Sequence, residues 1–454
     1  MDKKPPHNVK QRVTMDTDAV MIVVGNIVHC TSPFTVHTIE KGFVIVRDCK
    51  IVAIDNVSKL WTTREQLGIA HGSKNVKLVT LSSTQLLIPG LVDTHIHAPQ
   101  YPNAGLGYDM QLLDWLKNYT FPLEERYKDV HFAKKVYEAV VARTLAHGTT
   151  TACYFATIHL DSSLALCEAA IQAGQRAFVG KVNMNVLCPA ELTETNEESI
   201  AHTEQFIQAV LAKNCDLVQP VITPRFALSC DMELLSKLGD IAKKYNLNIQ
   251  SHISENLDEI HTVQQMFHKK YAQVYDDAKL LTRKTVLAHG VHLEPEEMHL
   301  LATRGTSIAH CPASNSCLQS GLCDVRALIH AGVNIGLGTD ISGGPSPSIV
   351  EAMRCALTTS IHNSYSDKTH LPLNCYDVFY LATLGGAKAL AIDDRIGNFA
   401  VGKQFDALVI DMNVKNGGTD FLHDCTPLEL LQKFIYTGDD RNVSKVYVAG
   451  LQVK

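Results

Sequence analysis

The stretch LLIPGLVDTHIHAPQY, residues 86–101, decides how this chain reads. An apolar, β-rich run ends in His95 and His97, one residue apart. Successive side chains of a strand point to opposite faces, so residues i and i+2 share a face. The two imidazoles therefore project together from the end of a buried strand. Neutral imidazole is the commonest protein ligand for a divalent cation such as zinc.

Working outward, short apolar runs recur after residue 86 and alternate with amphipathic segments. Eight runs are legible: 86–97, 148–157, 176–184, 217–227, 248–255, 285–290, 306–315 and 334–340. Between them the spacing predicts helices, as where Ala133, Val136, Tyr137, Val140, Val141 and Thr144 fall on one face. Further helical patterns cover 161–173, 197–213, 231–245 and 325–331. Eight strands alternating with helices predict an α/β fold, a (β/α)8 TIM-like barrel, whose catalytic groups gather at the carboxyl ends of the strands. The polar residues do cluster there: His95 and His97 close run 1, Arg225 run 4, and His252 with Glu255 run 5. His289 closes run 6, His310 run 7 and Asp340 run 8.

Both ends of the chain are β-rich where the middle is not. "VMIVVGNIVHC" and "GFVIVRDCKIVAID" precede the barrel; "KQFDALVIDM" and "SKVYVAGLQVK" follow a helix predicted over 375–392. The expected organisation is a loosely ordered start (1–19), a metal-binding barrel (86–392), and a small accessory β-sandwich domain. Both chain termini, 20–85 and 393–454, build that domain.

The bulk composition narrows the function. The chain has 454 residues, 46% hydrophobic and 19% charged, an ordinary globular balance able to bury a large core. Its 41 basic and 47 acidic side chains give a net charge of −6, which argues against nucleic-acid or anionic-membrane partners. No apolar run approaches the roughly 18–20 residues of a membrane span. The thirteen cysteines are scattered, and the polar start "MDKKPPHNVKQRV" has no signal-peptide pattern; both predict reduced thiols in the cytosol.

A catalytic zinc takes three or four protein ligands and leaves a place for water. His252 can add a third nitrogen to His95 and His97, and Asp340 an oxygen. Glu255, three residues beyond His252 in "SHISEN", is placed to take and return the proton of an activated water. The alternative for Glu255 is a surface glutamate opening the next helix, where Asn256, Asp258 and Glu259 also favour an N-terminus. His289 is expected to polarise or orient that water beside Asp340, and His310 to support the site from behind or to serve loop structure. Related two-metal barrels carry a bridging lysine on strand 4; run 4 has none, and Lys181 on run 3 is expected to be structural. One metal per chain follows.

"PGLVDTHIH", "SHISEN", "AHG", "HCPASN" and "GLGTD" resemble the amidohydrolase superfamily in order and spacing, over roughly residues 20–454. "HIHAPQY", "LLDWLKNYTFPLEERY", "GTTTACYFATIH", "TPRFALSC" and "LATLGGAKAL" are similar to its guanine-deaminating branch. The resemblance implies one zinc held by His95, His97, His252 and Asp340, with Glu255, His289 and Asp340 as the catalytic groups. Gln100, Arg225 and Phe226 would hold a purine base, with His97, His252 and Asp340 also facing it. The implied reaction is hydrolytic deamination of guanine to xanthine and ammonia: zinc-activated water attacks C2 and Glu255 shuttles the proton. A cytosolic homodimer is implied as well. Pro345, Pro347, Ala313 and Cys317 depart from the family pattern and bear on the range of substrates. Two alternatives stand beside this reading: a deaminase of another amino-substituted heterocycle, and a barrel that has lost catalysis and serves as a scaffold.

Overall fold

The computed structural model describes residues 19–70, 73 and 75–454; the expected loosely ordered start lies outside these residues. Five strands come first: β1 (Val20–Ser32), β2 (Thr35–Arg47), β3 (Lys50–Asn56), β4 (Val76–Thr80) and β5 (Gln85–Pro89). β2 and β3 form a hairpin turned by Asp48 and Cys49, both at positive φ (48° and 63°). That backbone twist matches a right-handed antiparallel pair.

The barrel strands follow: β6 (Leu91–His97), β7 (Thr149–Phe155), β8 (Arg176–Gly180), the short β9 (Val182–Asn183), β10 (Val218–Pro224), β11 (Asn248–Ile253), β12 (Thr285–His289), β13 (Ser307–His310) and β14 (Asn334–Leu337). They pair in parallel and in sequence order, with β9 extending the β8 side along β10. The sheet comes round on itself at the seam between β14 and β6. There the N–H of Asp340 donates to the carbonyl of His95 (2.9 Å) and the hydroxyl of Thr94 to that of Leu337 (2.8 Å). A nearly closed eight-strand α/β barrel is therefore present as expected.

Helices Val130–Ala146, Leu160–Ala173, Asn196–Ala212 and Met232–Tyr245 make the early crossovers and match the helical patterns within a residue or a few at each end. Inside the barrel, Val92, Cys153, Phe178, Val221, Val286, Ala288, Ala309 and Cys311 pack together. Ala387, Leu390, Ile392 and Ile396 close this cluster from below. The interior is thus filled, and space for chemistry remains at the carboxyl ends of the strands.

After the barrel the chain returns through β15 (Ala407–Asp411), β16 (Val443–Val448) and β17 (Leu451–Gln452). These join the first five strands in one eight-stranded sheet of order β17-β16-β15-β5-β1-β2-β3, with β4 on β1. Residues from both termini thus share a sheet.

Three expectations are corrected. The apolar run 86–97 is two strands: β5 pairs with β1 and β15 in the terminal sheet, and β6 begins the barrel. The handover falls at Gly90, where a Cβ would lie 2.0 Å from the Thr150 hydroxyl oxygen, so the close approach admits only glycine. Run 306–315 is strand only to His310, since Pro312 opens a helix, Pro312–Cys317. The helix expected over 375–392 ends at Ala389.

The terminal sheet is locked to the barrel by Arg176 at the start of β8. Its guanidinium donates twice to the buried Asp406 carboxylate (3.0 and 3.1 Å) and once to the Gln404 side-chain oxygen (2.6 Å). Asp406 also accepts from the N–H of Ala449, while its carbonyl accepts from the N–H of Gly90 (3.0 Å). Removing one partner strands the other charge in the interior. Arg176→Met is therefore expected to cost about 3–5 kcal/mol of stability, read as a lower denaturant midpoint.

Among the described residues, no helix is long and apolar enough to cross a membrane, and no disulfide forms.

Candidate active site and metal centre

Strand alternation brings His95 and His97 together as expected, with ring centroids 5.0 Å apart. Relative to β7, β6 shifts register between Asp93 and Ile96, a bulge that aims the following residues. Asp93 anchors the bulge. Its carboxylate accepts from the N–H of His95 (3.2 Å), itself at the site, and from the N–H and hydroxyl of Thr339 (3.1 and 2.5 Å), the residue before Asp340. Burial pushes the Asp93 pKa up to about 7.

From across the barrel come His252 and His289, and from the adjoining seam Asp340. The donor atoms of His95, His252, His289 and Asp340 all lie within 4.8 Å of one another. His95 Nε2 is 3.1 Å from the Asp340 carboxylate, His97 Nε2 is 3.5 Å from the same oxygen, and His97 Nε2 is 3.0 Å from His252 Nε2. The five side chains therefore converge on one point. His289 was expected only to orient a water, yet it belongs to the tightest group. His289 closes β12 at φ 77°, a left-handed backbone conformation. Asp340 is held at φ 46°.

The outer nitrogens fix the tautomers. The carbonyl of Arg225 accepts from His252 Nδ1 (2.5 Å), and the side-chain oxygen of Asn315 accepts from His289 Nδ1 (2.8 Å). With Nδ1 so committed, each ring turns its Nε2 toward the cluster. Burial lowers the pKa of His95, His97 and His252, so these rings stay neutral. Burial alone would raise Asp340, but the imidazoles of His95, His289 and His97 beside it outweigh that and hold the carboxylate ionised. His95 Nε2 and His97 Nδ1 are buried without a hydrogen-bond partner. Neutral imidazoles with inward lone pairs around one carboxylate fit a divalent cation that favours nitrogen ligands.

Glu255 is not the surface residue that a helix N-terminus offers as the alternative. Helix Leu257–Phe267 is capped by Asn256 and Glu259 instead, and Glu255 is left buried. Its carboxyl group accepts from the Ser320 hydroxyl (3.1 Å) and lies 3.3 Å from His289 Nε2. Burial first, then Asp340 and Glu259, push its pKa well above the usual carboxylate range. A carboxyl group so placed is ready to hold and release a proton.

His97, Gln100, Arg225, Phe226, His252, Glu255, His289 and Asp340 line one cavity, roofed by Leu112, Trp115, Leu116 and Leu318. All of the residues singled out from the sequence for binding or proton transfer thus face a common space. His310 does not: it lies one residue out of phase with Ala309 and Cys311, which face the barrel interior. It is fully buried, and burial pushes its pKa down to about 3. Lys181 is structural as expected, paired in the interior with Glu194 (2.5 Å).

Sequence reasoning missed four contributors. Asn315 and Ser320, beyond β13, orient His289 and Glu255. Asp93 braces the seam. Glu124 receives two hydrogen bonds from Arg225 (2.6 and 3.1 Å) and one from the Gln100 amide nitrogen (3.2 Å). The only signal for Glu124 was its place in the aromatic-rich segment "LLDWLKNYTFPLEERY".

Comparison with known proteins agrees with this geometry. Residues 86–453 match the model of the amidohydrolase family. A guanine deaminase of Rattus norvegicus is 47% identical over 449 residues, covering 96% of this chain and 97% of its own. The crystal structure of a guanine deaminase from C. acetobutylicum with bound guanine superposes with a TM-score of 0.88. It is 36% identical and covers 96% of this chain and 100% of that one. An adenosine deaminase from Xanthomonas campestris with bound zinc superposes with a TM-score of 0.81, at 25% identity, covering 96% of this chain and 92% of its own. The chain belongs to the amidohydrolase family, in the same group as the guanine deaminases.

Proposed function

We propose that the protein is a metal-dependent aminohydrolase that converts guanine to xanthine and ammonia. The observation that carries this reading is one cavity in which the imidazole–carboxylate cluster meets Glu255, Gln100, Arg225 and Phe226. No lining residue is more than 9% exposed, so a bound base would be cut off from bulk water.

We infer that His95, His97, His252 and Asp340 hold one zinc per chain, with His289 beside it. The nitrogen-rich donor set supports zinc over magnesium or calcium, which prefer oxygen. A zinc bound there brings the pKa of a water to roughly 7 and so supplies a nucleophile at neutral pH. The remaining work belongs to the chain. Arg225 and Gln100 hold the polar edge of the base, and the Phe226 ring packs against its face. Glu255 takes a proton from the attacking water and returns it to ring N3 as C2 becomes tetrahedral. It then carries the proton of the new C2 hydroxyl to the departing amine, so that the C2 carbonyl of xanthine forms as the C2–N bond breaks and ammonia leaves. His289, 3.3 Å from Glu255 and 3.9 Å from Asp340, keeps both carboxyl groups in register.

The domain reading follows the same line: a barrel bearing the site, and a terminal β domain folded as a sandwich. One apolar cluster joining Val44 and Val46 of β2 with Val409 and Tyr447 of β15 and β16 supports the latter. Cytosolic placement is supported by thirteen cysteines without a disulfide. A homodimer rests on family resemblance, and sedimentation reads it directly.

Incubation with guanine, adenine and cytosine in parallel tests the activity. Release of ammonia and xanthine from guanine alone is the expected result; turnover of another base without guanine would keep the deaminase class and sink the substrate.

A further inference from the structure

We propose that Glu124 sets the hydrogen-bond polarity with which the pocket reads its ligand. In this arrangement the site takes a ring bearing a carbonyl beside an N–H, and rejects one bearing an amine beside a bare nitrogen. The inference rests on the reading of the protein as a guanine-converting enzyme and extends it to a residue that touches no reacting atom.

The argument starts from what Glu124 can do chemically. An ionised carboxylate only accepts hydrogen bonds. Its Oε1 lies 3.2 Å from the Gln100 amide, so that amide must turn its nitrogen toward Glu124. The Gln100 oxygen is then left on the other side, where the N–H of Ser342 approaches it at 3.4 Å. The two neighbours agree on the orientation. Gln100, which could by itself donate or accept, is committed to present an oxygen with a lone pair to spare.

Glu124 fixes Arg225 in the same way. One guanidinium nitrogen donates to Oε2 at 2.6 Å and the other to Oε1 at 3.1 Å. The guanidinium also lies over the Phe121 ring, 5.2 Å from its centroid. A guanidinium has five N–H groups and no acceptor, so three donors remain. Glu124 is 1% exposed, Arg225 and Gln100 2% each, so water cannot substitute for a mismatched partner. The cavity therefore offers donors from Arg225 and an acceptor from Gln100. That pair complements a lactam edge, carbonyl and adjacent ring N–H, as guanine carries at C6 and N1. It opposes the amidine edge of an aminopurine, where both signs are reversed. Leaving a buried polar group unpaired is what makes such rejection steep. Glu124 belongs to the segment Phe121–Glu125, one turn beyond the roof residues Trp115 and Leu116, so the polarity is set from beside the cover of the pocket.

The test compares guanine with 2,6-diaminopurine, which keeps the 2-amino leaving group and inverts the neighbouring edge. The zinc-loaded wild-type enzyme is expected to favour guanine in kcat/KM by about 10³-fold or more. Glu124→Gln keeps the shape but lets its amide donate or accept, so Gln100 is free to turn. The preference should then shrink at least tenfold while zinc content stays unchanged. An unaltered preference in a folded Glu124→Gln enzyme, with both rates reduced alike, would overturn the proposal. Calorimetry on the wild-type enzyme decides it independently of the variant: hypoxanthine, with the lactam edge, should bind at least 100-fold tighter than adenine, and equal affinities overturn it. A wild-type enzyme inert toward guanine defeats the deaminase reading, and the calorimetric pair still decides the polarity.

Discussion

Glu255→Gln is expected to lower kcat on guanine by about 10²–10⁴-fold while one metal per chain stays bound. The substitution keeps the shape and the hydrogen bond from Ser320, since the amide oxygen accepts as the carboxylate oxygen did. It removes only the capacity to take up and return a proton. Because that capacity is used at the water, at ring N3 and at the departing amine, one change interrupts three transfers. Ammonia release and metal analysis on the same sample separate this outcome from loss of the metal. Activity within tenfold of wild type would mean that the proton travels through another group, with His289 as the nearest alternative at 3.3 Å.

His252→Ala should lose the metal as well as turnover. The ring is buried, and its Nδ1 is tied to the Arg225 carbonyl at 2.5 Å, so Nε2 faces the cluster. Altering even the outer partner of a metal-bound histidine weakens metal affinity about 10–100-fold, and removing the ring should exceed that. Metal content after gel filtration is the direct measurement. Chelation of the wild-type protein should abolish turnover, and added zinc should restore it. A purified chain with no metal, together with a His252→Ala variant of unchanged behaviour, would instead support the scaffold alternative.

Much of the site is legible in the residue order. His95 and His97 could be paired because a two-residue repeat is a property of the strand itself, needing no knowledge of neighbours. His252, Arg225 and Asp340 could be placed because each closes an apolar run, and a parallel barrel gathers such ends on one face. The residues that escaped lie where no periodicity operates. Glu124 comes from the irregular insertion between β6 and helix Val130–Ala146, in which helical turns of four or five residues follow one another. Asn315 and Ser320 belong to a short helix and turn that the sequence presents as the tail of a strand. His289 was placed beside Asp340 by its position at a strand end, but its membership of the donor cluster depends on contacts across the barrel.

The opening stretch shows the same division. Its alternation, its Gly90 and its two histidines are local facts, and they predicted a buried strand ending in a metal pair. That the stretch serves two sheets was decided by close packing, because Gly90 passes Thr150 at a distance only a bare backbone allows. By itself the sequence determined the parallel barrel, the return of both termini to β structure and the convergence of His95, His97 and His252, because these follow from period and order along the chain. Only the tertiary structure decided which donor faces which acceptor. The polarity of Gln100 and the aim of Arg225 depend on Glu124, 24 and 101 residues away from them. Contacts at such separation are set by how the elements close on one another, and a buried carboxylate then forces each partner to turn its N–H inward.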